Sequence, residues 1–277
     1  MDKNWWDELE KLTGLREVKT KIKEIVTFIK KRGTKEMPTL HMVFRGNPGT
    51  GKTTVARLIG KIFAAEGILP KKNVFVETDR EGLIAAYVGH TAIKTKEVIQ
   101  RAMGGILFID EAYVLHQDGR DFGGEAIATL VKKMEDRRKD FICIMAGYSA
   151  EMDEMLNMNP GLRDRVQFYI DFPDYDANEF CEIFDTLSKE KEYELSGDGE
   201  EVLRQYFQEI ITNKDKNFSN GRLVRKIFER IQIKQVMSDR EDNIILKEHI
   251  DEVFRESDMK NFLTRKTSNK TIGFRHN

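Results

Sequence analysis

From Leu9 to Ile29, the apolar residues Leu9, Leu12, Leu15, Val18, Ile22, Ile25 and Ile29 fall three or four apart, with Lys and Glu between them. That period predicts an amphipathic helical region, interrupted near Thr13 and Gly14. A polar linker with Gly33 and Pro38 leads to LHMVF, short and apolar enough for a buried strand, and a glycine-rich loop then precedes a helix expected from about Thr53 to Ala65. NVFVET, GILFID, FICIMA and VQFYIDF are further strand candidates, separated by stretches with helical spacing such as residues 125–135. Strands alternating with helices predict a parallel sheet covered by helices on both faces.

After FPDY the pattern changes. Residues 177–262 offer charged segments with helical periodicity and no strand candidate of comparable strength. The expected organisation is an α/β domain over residues 1–174, a small helical domain over 175–262 and a polar, basic, mobile tail over 263–277.

Composition narrows the partners. The 46 basic and 47 acidic side chains nearly cancel, which argues against nucleic acid and against an anionic membrane surface. MDKNWWDELE has neither the basic flank nor the apolar core of a signal peptide, and no apolar run approaches the ~20 residues of a membrane span. The expected location is the cytoplasm, with Cys143 and Cys181 as reduced thiols. Trp5 and Trp6 could dock a partner or anchor an amino-terminal helix.

The chemistry begins at GNPGTGKT. Gly46, Gly51, Lys52 and Thr53 fit G-x-x-x-x-G-K-[ST], in which glycines let backbone N–H groups turn around a β-phosphate and the following helix presents its positive end. Asn47, Pro48, Gly49, Thr50 and Thr54 complete the cradle. Lys52 would reach the β and γ oxygens, and Thr53 would ligate Mg²⁺. At GILFIDEA a buried strand ends in Asp110, positioned to hold Mg²⁺, and Glu111, positioned beside a water attacking the γ-phosphate. A tight glycine turn and helix-capping carboxylates would explain parts of this pattern, but not the lysine–threonine pair together with the acidic pair. Hydrolysis of ATP or GTP is the leading reaction. A soluble kinase with the same loop, or a nucleotide-dependent scaffold, are the alternatives.

GNPGTGKT, AYVGHTAIKTKEVIQRAMGGILFIDEAY, GYSAEMDEMLNMNPGLRDR, FPDY and FSNGRLVRKIFERI follow one another as in the CbxX/CfxQ branch of the AAA+ ATPases, which includes SpoVK and red-type Rubisco activases. The chain resembles that family over roughly residues 9–262. The resemblance implies an AAA+ P-loop NTPase fold with a helical lid, and an ATP-driven ring, usually a hexamer, that remodels a protein client with ATP and Mg²⁺.

It also implies roles for particular residues. GLRDR resembles the arginine-finger segment that enters a neighbouring subunit's site, with Arg165 the first choice and Arg163 the second. NGRLVRK resembles the sensor 2 segment, so Arg222, or Arg225 one step on, would contact the γ-phosphate from the lid. The sensor 1 position, Asn in many relatives, is Tyr148 or Ser149 here. LTGLREVK resembles the segment against adenine, so Gly14 and Leu15 would line the base, although a plain helix break explains them as well. AYVGHT sits where the family has its pore loop, with Tyr87, Val88 and Gly89 gripping the client. Ile93 stands where many relatives have proline.

Overall fold

The computed structural model describes residues 4–33, 38–70, 74–87, 89–116, 122–238, 240 and 242–264. The expectations for Val88 and for most of the tail fall outside those residues. Contacts divide the chain between Pro173 and Asp174 into two compact units.

The first unit opens with α1 (Trp5–Glu10) and α2 (Arg16–Arg32). Between them Gly14 and Leu15 both take left-handed backbone, with φ of +62° and +56°, which interrupts the helical pattern where the sequence does. Lys19 Nζ closes that break by donating to the carbonyls of Glu10 at 3.0 Å and Leu12 at 2.5 Å. The two tryptophans anchor α1 within the chain. Trp6 Nε1 donates to Glu66 at 2.7 Å, and the Lys61 ammonium lies 4.4 Å from the Trp5 ring centre.

Five strands follow: β1 (Met42–Gly46), β2 (Phe75–Thr78), β3 (Ile106–Ile109), β4 (Ile142–Gly147) and β5 (Phe168–Phe172). They pair in the order β2-β3-β4-β1-β5, every pair parallel. β3 and β4 are buried along their whole length, which is why they read as unbroken apolar runs rather than as alternation. The connecting helices are α3 (Lys52–Ala65), the short α4 (Arg80–Leu83), α5 (Thr91–Arg101), α6 (Gly123–Asp136), α7 (Ser149–Met158) and the short α8 (Pro160–Arg163).

One buried polar side chain ties the sheet to its cover. His41, just before β1, accepts from the Cys143 amide through Nδ1 at 2.9 Å and faces the Met134 carbonyl through Nε2 at 3.1 Å. Nε2 therefore carries the proton, and burial lowers the pKa of the ring to about 4.

The second unit holds α9 (Ala177–Glu190), α10 (Gly197–Thr212), α11 (Asn220–Val236), α12 (Lys247–Arg255) and α13 (Ser257–Thr264). Asp176 and Glu179 form a reciprocal cap at the start of α9, satisfying two of its orphan amides. The phenylalanines Phe180, Phe184, Phe207, Phe218 and Phe228 meet at ring-centre distances of 5.3–6.2 Å to form its core. Two short strands, β6 (Glu194–Leu195) and β7 (Ile244–Ile245), pair in parallel, so this unit is not purely helical. Two residues per strand are too few to leave an alternating pattern. Among the described residues, no helix is long and apolar enough to cross a membrane.

Candidate functional site

Because all five strands run the same way, their carboxyl ends share one edge of the sheet, where open α/β sheets bind ligands. β1 ends at Gly46, whose added Cβ would lie 2.3 Å from the Phe172 carbonyl oxygen, so only glycine lets the loop leave so close to β5. Gly49 and Gly51 have φ of +72° and +94°, a left-handed backbone that turns the loop over the start of α3. α3 has glycine at its cap, no side-chain cap bond and no acidic residue in its first turn. Its first amides and dipole thus face the loop without a competing carboxylate.

Lys52 Nζ donates to the carbonyls of Gly46 at 2.8 Å and Asn47 at 2.7 Å, and the buried Thr50 hydroxyl donates to Asn47 at 2.8 Å. Asn47, Pro48, Gly49, Thr53 and Thr54 lie on the same loop and first turn. From the end of β3, two strands away, come Asp110 and Glu111. The Asp110 amide donates to the Thr78 carbonyl at 2.9 Å, continuing the β2–β3 ladder past its last pair. Glu111 is exposed and has a φ of +47°. A left-handed glutamate costs of order 1–3 kcal/mol and persists only where its surroundings over-determine it.

β4 lies between β3 and β1, so Tyr148 at its carboxyl end falls between the acidic pair and the phosphate-type loop. Ser149 begins α7 and is exposed. Sequence reading missed Tyr113, two residues after Glu111. Its ring centre is 5.9 Å from that of Tyr148, and burial, then the negative field of Glu111, push its pKa up to about 12. Its position directly after the acidic pair was the available signal.

The arginines of GLRDR lie elsewhere. Gly46 pairs with Phe172 and Met42 with Phe168, so the segment before β5 starts about 13 Å from the loop, at the opposite edge of the sheet. There Arg163 is exposed, while Arg165 donates from Nη1 to the Gly161 carbonyl at 2.8 Å and turns Nε toward Glu135 at 3.6 Å. Arg222 and Arg225 are exposed on the first turns of α11, in the second unit. α11 starts from Asn220, a buried residue with φ +45° that accepts from the Tyr175 amide at 3.0 Å and donates to Asp174 at 2.8 Å. Gly14 is half-buried and Leu15 buried.

Tyr87 is 73% exposed, so it is not a core aromatic. Gly89 follows in left-handed backbone, φ +78°. Ile93 belongs to α5 rather than to the loop, and it is exposed.

A profile of the ATPase family associated with various cellular activities (AAA) matches residues 42–174, and one of the AAA lid domain matches residues 176–268. Stage V sporulation protein K of Bacillus subtilis is 48% identical over 232 residues, covering 80% of this chain and 72% of that protein. This chain belongs to the AAA ATPase family. The ATPase is also 41% identical over 239 residues to the chloroplastic ribulose bisphosphate carboxylase/oxygenase activase of Cyanidioschyzon merolae, covering 83% and 80%. Protein CbbX of Cereibacter sphaeroides has the same identity, with 83% and 76% covered. Among solved structures, the Thermotoga maritima RuvB Holliday junction branch migration motor superposes with a TM-score of 0.63 at 17% identity, over 87% of this chain and 69% of that one. The likeness to RuvB is one of fold.

Proposed function

We propose that this ATPase works as a ring of copies, six in number, that hydrolyses ATP to remodel a protein client passing through its centre. The observation carrying this reading is the separation of the site's parts. The loop and acidic pair sit at one edge of the sheet, and Arg163 and Arg165 sit at the other. A second copy brings them together; a single copy does not.

In this reading Lys52 holds the β- and γ-phosphates and the loop amides cradle them. The Thr53 hydroxyl and Asp110 carboxylate are hard oxygen donors suited to Mg²⁺. Mg²⁺ usually keeps several waters and is held by one or two protein groups together with substrate phosphates. Mg²⁺ would supply neutralisation of the charge developing on the phosphate oxygens. Glu111 orients the water whose oxygen bonds to the γ-phosphorus and takes its proton as the bond to the ADP oxygen breaks. Arg165 of the next copy, with Arg163 as second choice, approaches from outside, and Arg222 from the lid. Tyr148 would read the γ-phosphate, with Gly14 and Leu15 against adenine. Tyr87, Val88 and Gly89 grip the client by apolar contact.

The test is the mass of the Glu111→Gln protein with ATP, read alongside the turnover of the parent at increasing concentration. A six-copy particle and a turnover per copy that rises with concentration are expected. Full turnover by a monomer at every concentration would overturn the ring and favour a soluble kinase. Lys52→Ala should lose ATP binding, read by nucleotide titration.

A further inference from the structure

Glu111 is joined to Arg80, on the short helix that precedes the Tyr87 loop, by two successive hydrogen bonds. The Glu111 carbonyl accepts from the Val114 amide at 3.0 Å, within a 3-10 turn over Ala112–His116. The Val114 carbonyl in turn accepts from Arg80 Nη1 at 2.9 Å. Arg80 is the first residue of α4, and Ile84, Ala85 and Ala86 lead from the end of α4 to Tyr87.

Both sides of this joint are tight. Opposite Arg80, Gly123 at the head of α6 leaves no room for a side chain: a Cβ there would lie 2.0 Å from the Leu115 carbonyl oxygen. The far side of α4 and the stem of the loop are held by α5. Lys94 Nζ donates to the carbonyls of Glu81 at 2.6 Å and Ile84 at 2.9 Å. Thr95 donates to Leu83 at 3.0 Å, and the Thr91 hydroxyl accepts from the Ala85 amide at 3.1 Å. Hydrogen bonds thus tie α4 and the stem to α5 on one side and to the 3-10 turn on the other.

We propose that Arg80 is the positioning residue that transmits the nucleotide state of the Asp110–Glu111 segment to the Tyr87 loop. A shift of Glu111 between ATP and ADP is carried to Val114, whose N–H donates to the Glu111 carbonyl and whose own carbonyl accepts from Arg80. Arg80 passes the shift to α4, and the clamp from α5 keeps the stem from absorbing it. The client role of the loop rests on the function proposed above, as does the place of Asp110 and Glu111 at the nucleotide; the link does not depend on the ring.

The experiment is hydrogen exchange over residues 81–91 of the full chain, without a client, comparing ATP in a Glu111→Gln background with ADP. Exchange of this segment is expected to differ between the two nucleotides. Arg80→Met should abolish the difference while nucleotide affinity and melting temperature are retained, and Arg80→Lys, which keeps a donor for the Val114 carbonyl, should preserve it. Should Arg80→Met lower the melting temperature, Arg80→Leu, which likewise lacks a donor, is read in its place. A nucleotide-dependent difference that survives Arg80→Met, or none in the parent, overturns the proposal. Mass measured on the same samples reports the ring separately, so an Arg80-dependent difference without a ring would sink the proposed function and leave this link standing.

Discussion

The backbone amide of Glu111 donates to the carboxylate of Asp110, the residue before it, at 3.1 Å. In the function proposed above, Asp110 serves the ion and Glu111 the water. Glu111→Gln is expected to keep ATP affinity and lose most turnover, because the amide cannot take the proton. Nucleotide titration and phosphate release measure the two effects. Glu111→Gly should lose turnover too, yet keep or raise the melting temperature, since glycine adopts this φ without strain.

Arginine at the far edge of the sheet gives a second outcome. Arg165→Ala should bind ATP normally and hydrolyse it about 10³- to 10⁵-fold more slowly, the scale of an arginine supplied in trans. Mixed with Lys52→Ala it should regain some turnover wherever an intact arginine faces an intact loop. If mixed rings form and no activity returns, Arg163 is next to be tested in the same mixture.

Tyr87→Ala should abolish client remodelling without unfolding the protein. A buried aromatic would cost about 3 to 5 kcal/mol on removal, whereas an exposed side chain changes stability by about 0.5 kcal/mol or less. Melting temperature and client remodelling, compared with Tyr87→Phe, separate the two cases. Phe should retain the grip because the apolar ring face is kept.

Acid should weaken the first unit through His41. Folding lowers its pKa from 6.5 to about 4, so between those values the unfolded chain binds a proton that the folded one does not. The stability this contributes is full above pH 6.5 and is lost as pH falls toward 4, about 3 kcal/mol in all. The His41 ring should stay neutral by NMR at pH 5.5, and a titration near 6.5 in the folded protein would refute the buried arrangement.

The strands and the phosphate-type loop were legible because each carries a local signal: an unbroken apolar run for β3 and β4, and glycines at fixed spacing before Lys52. The exposure of Tyr87 could be expected only through the family resemblance, since by itself an aromatic residue in a short loop reads more readily as core. The left-handed Glu111 left no trace in the sequence, as glutamate does not announce a positive φ the way glycine does. Arg80 was hidden for another reason. Its partner is a backbone carbonyl, which any residue at position 114 would supply. β6 and β7 fell below the length at which alternation can be seen.

β1, the strand that carries the phosphate-type loop, pairs only with β4 and β5, so Met42 waits for Ile144 and Phe168. β2 and β3 meet much sooner, Phe75 with Ile106. On the ribosome, then, the loop emerges early and acquires its support late, because the strands on both sides of β1 are the last two of the five-stranded sheet to be made. A nascent chain that stops before Phe168 contains every residue of the loop and lacks the carbonyl of Phe172 against which Gly46 is seated.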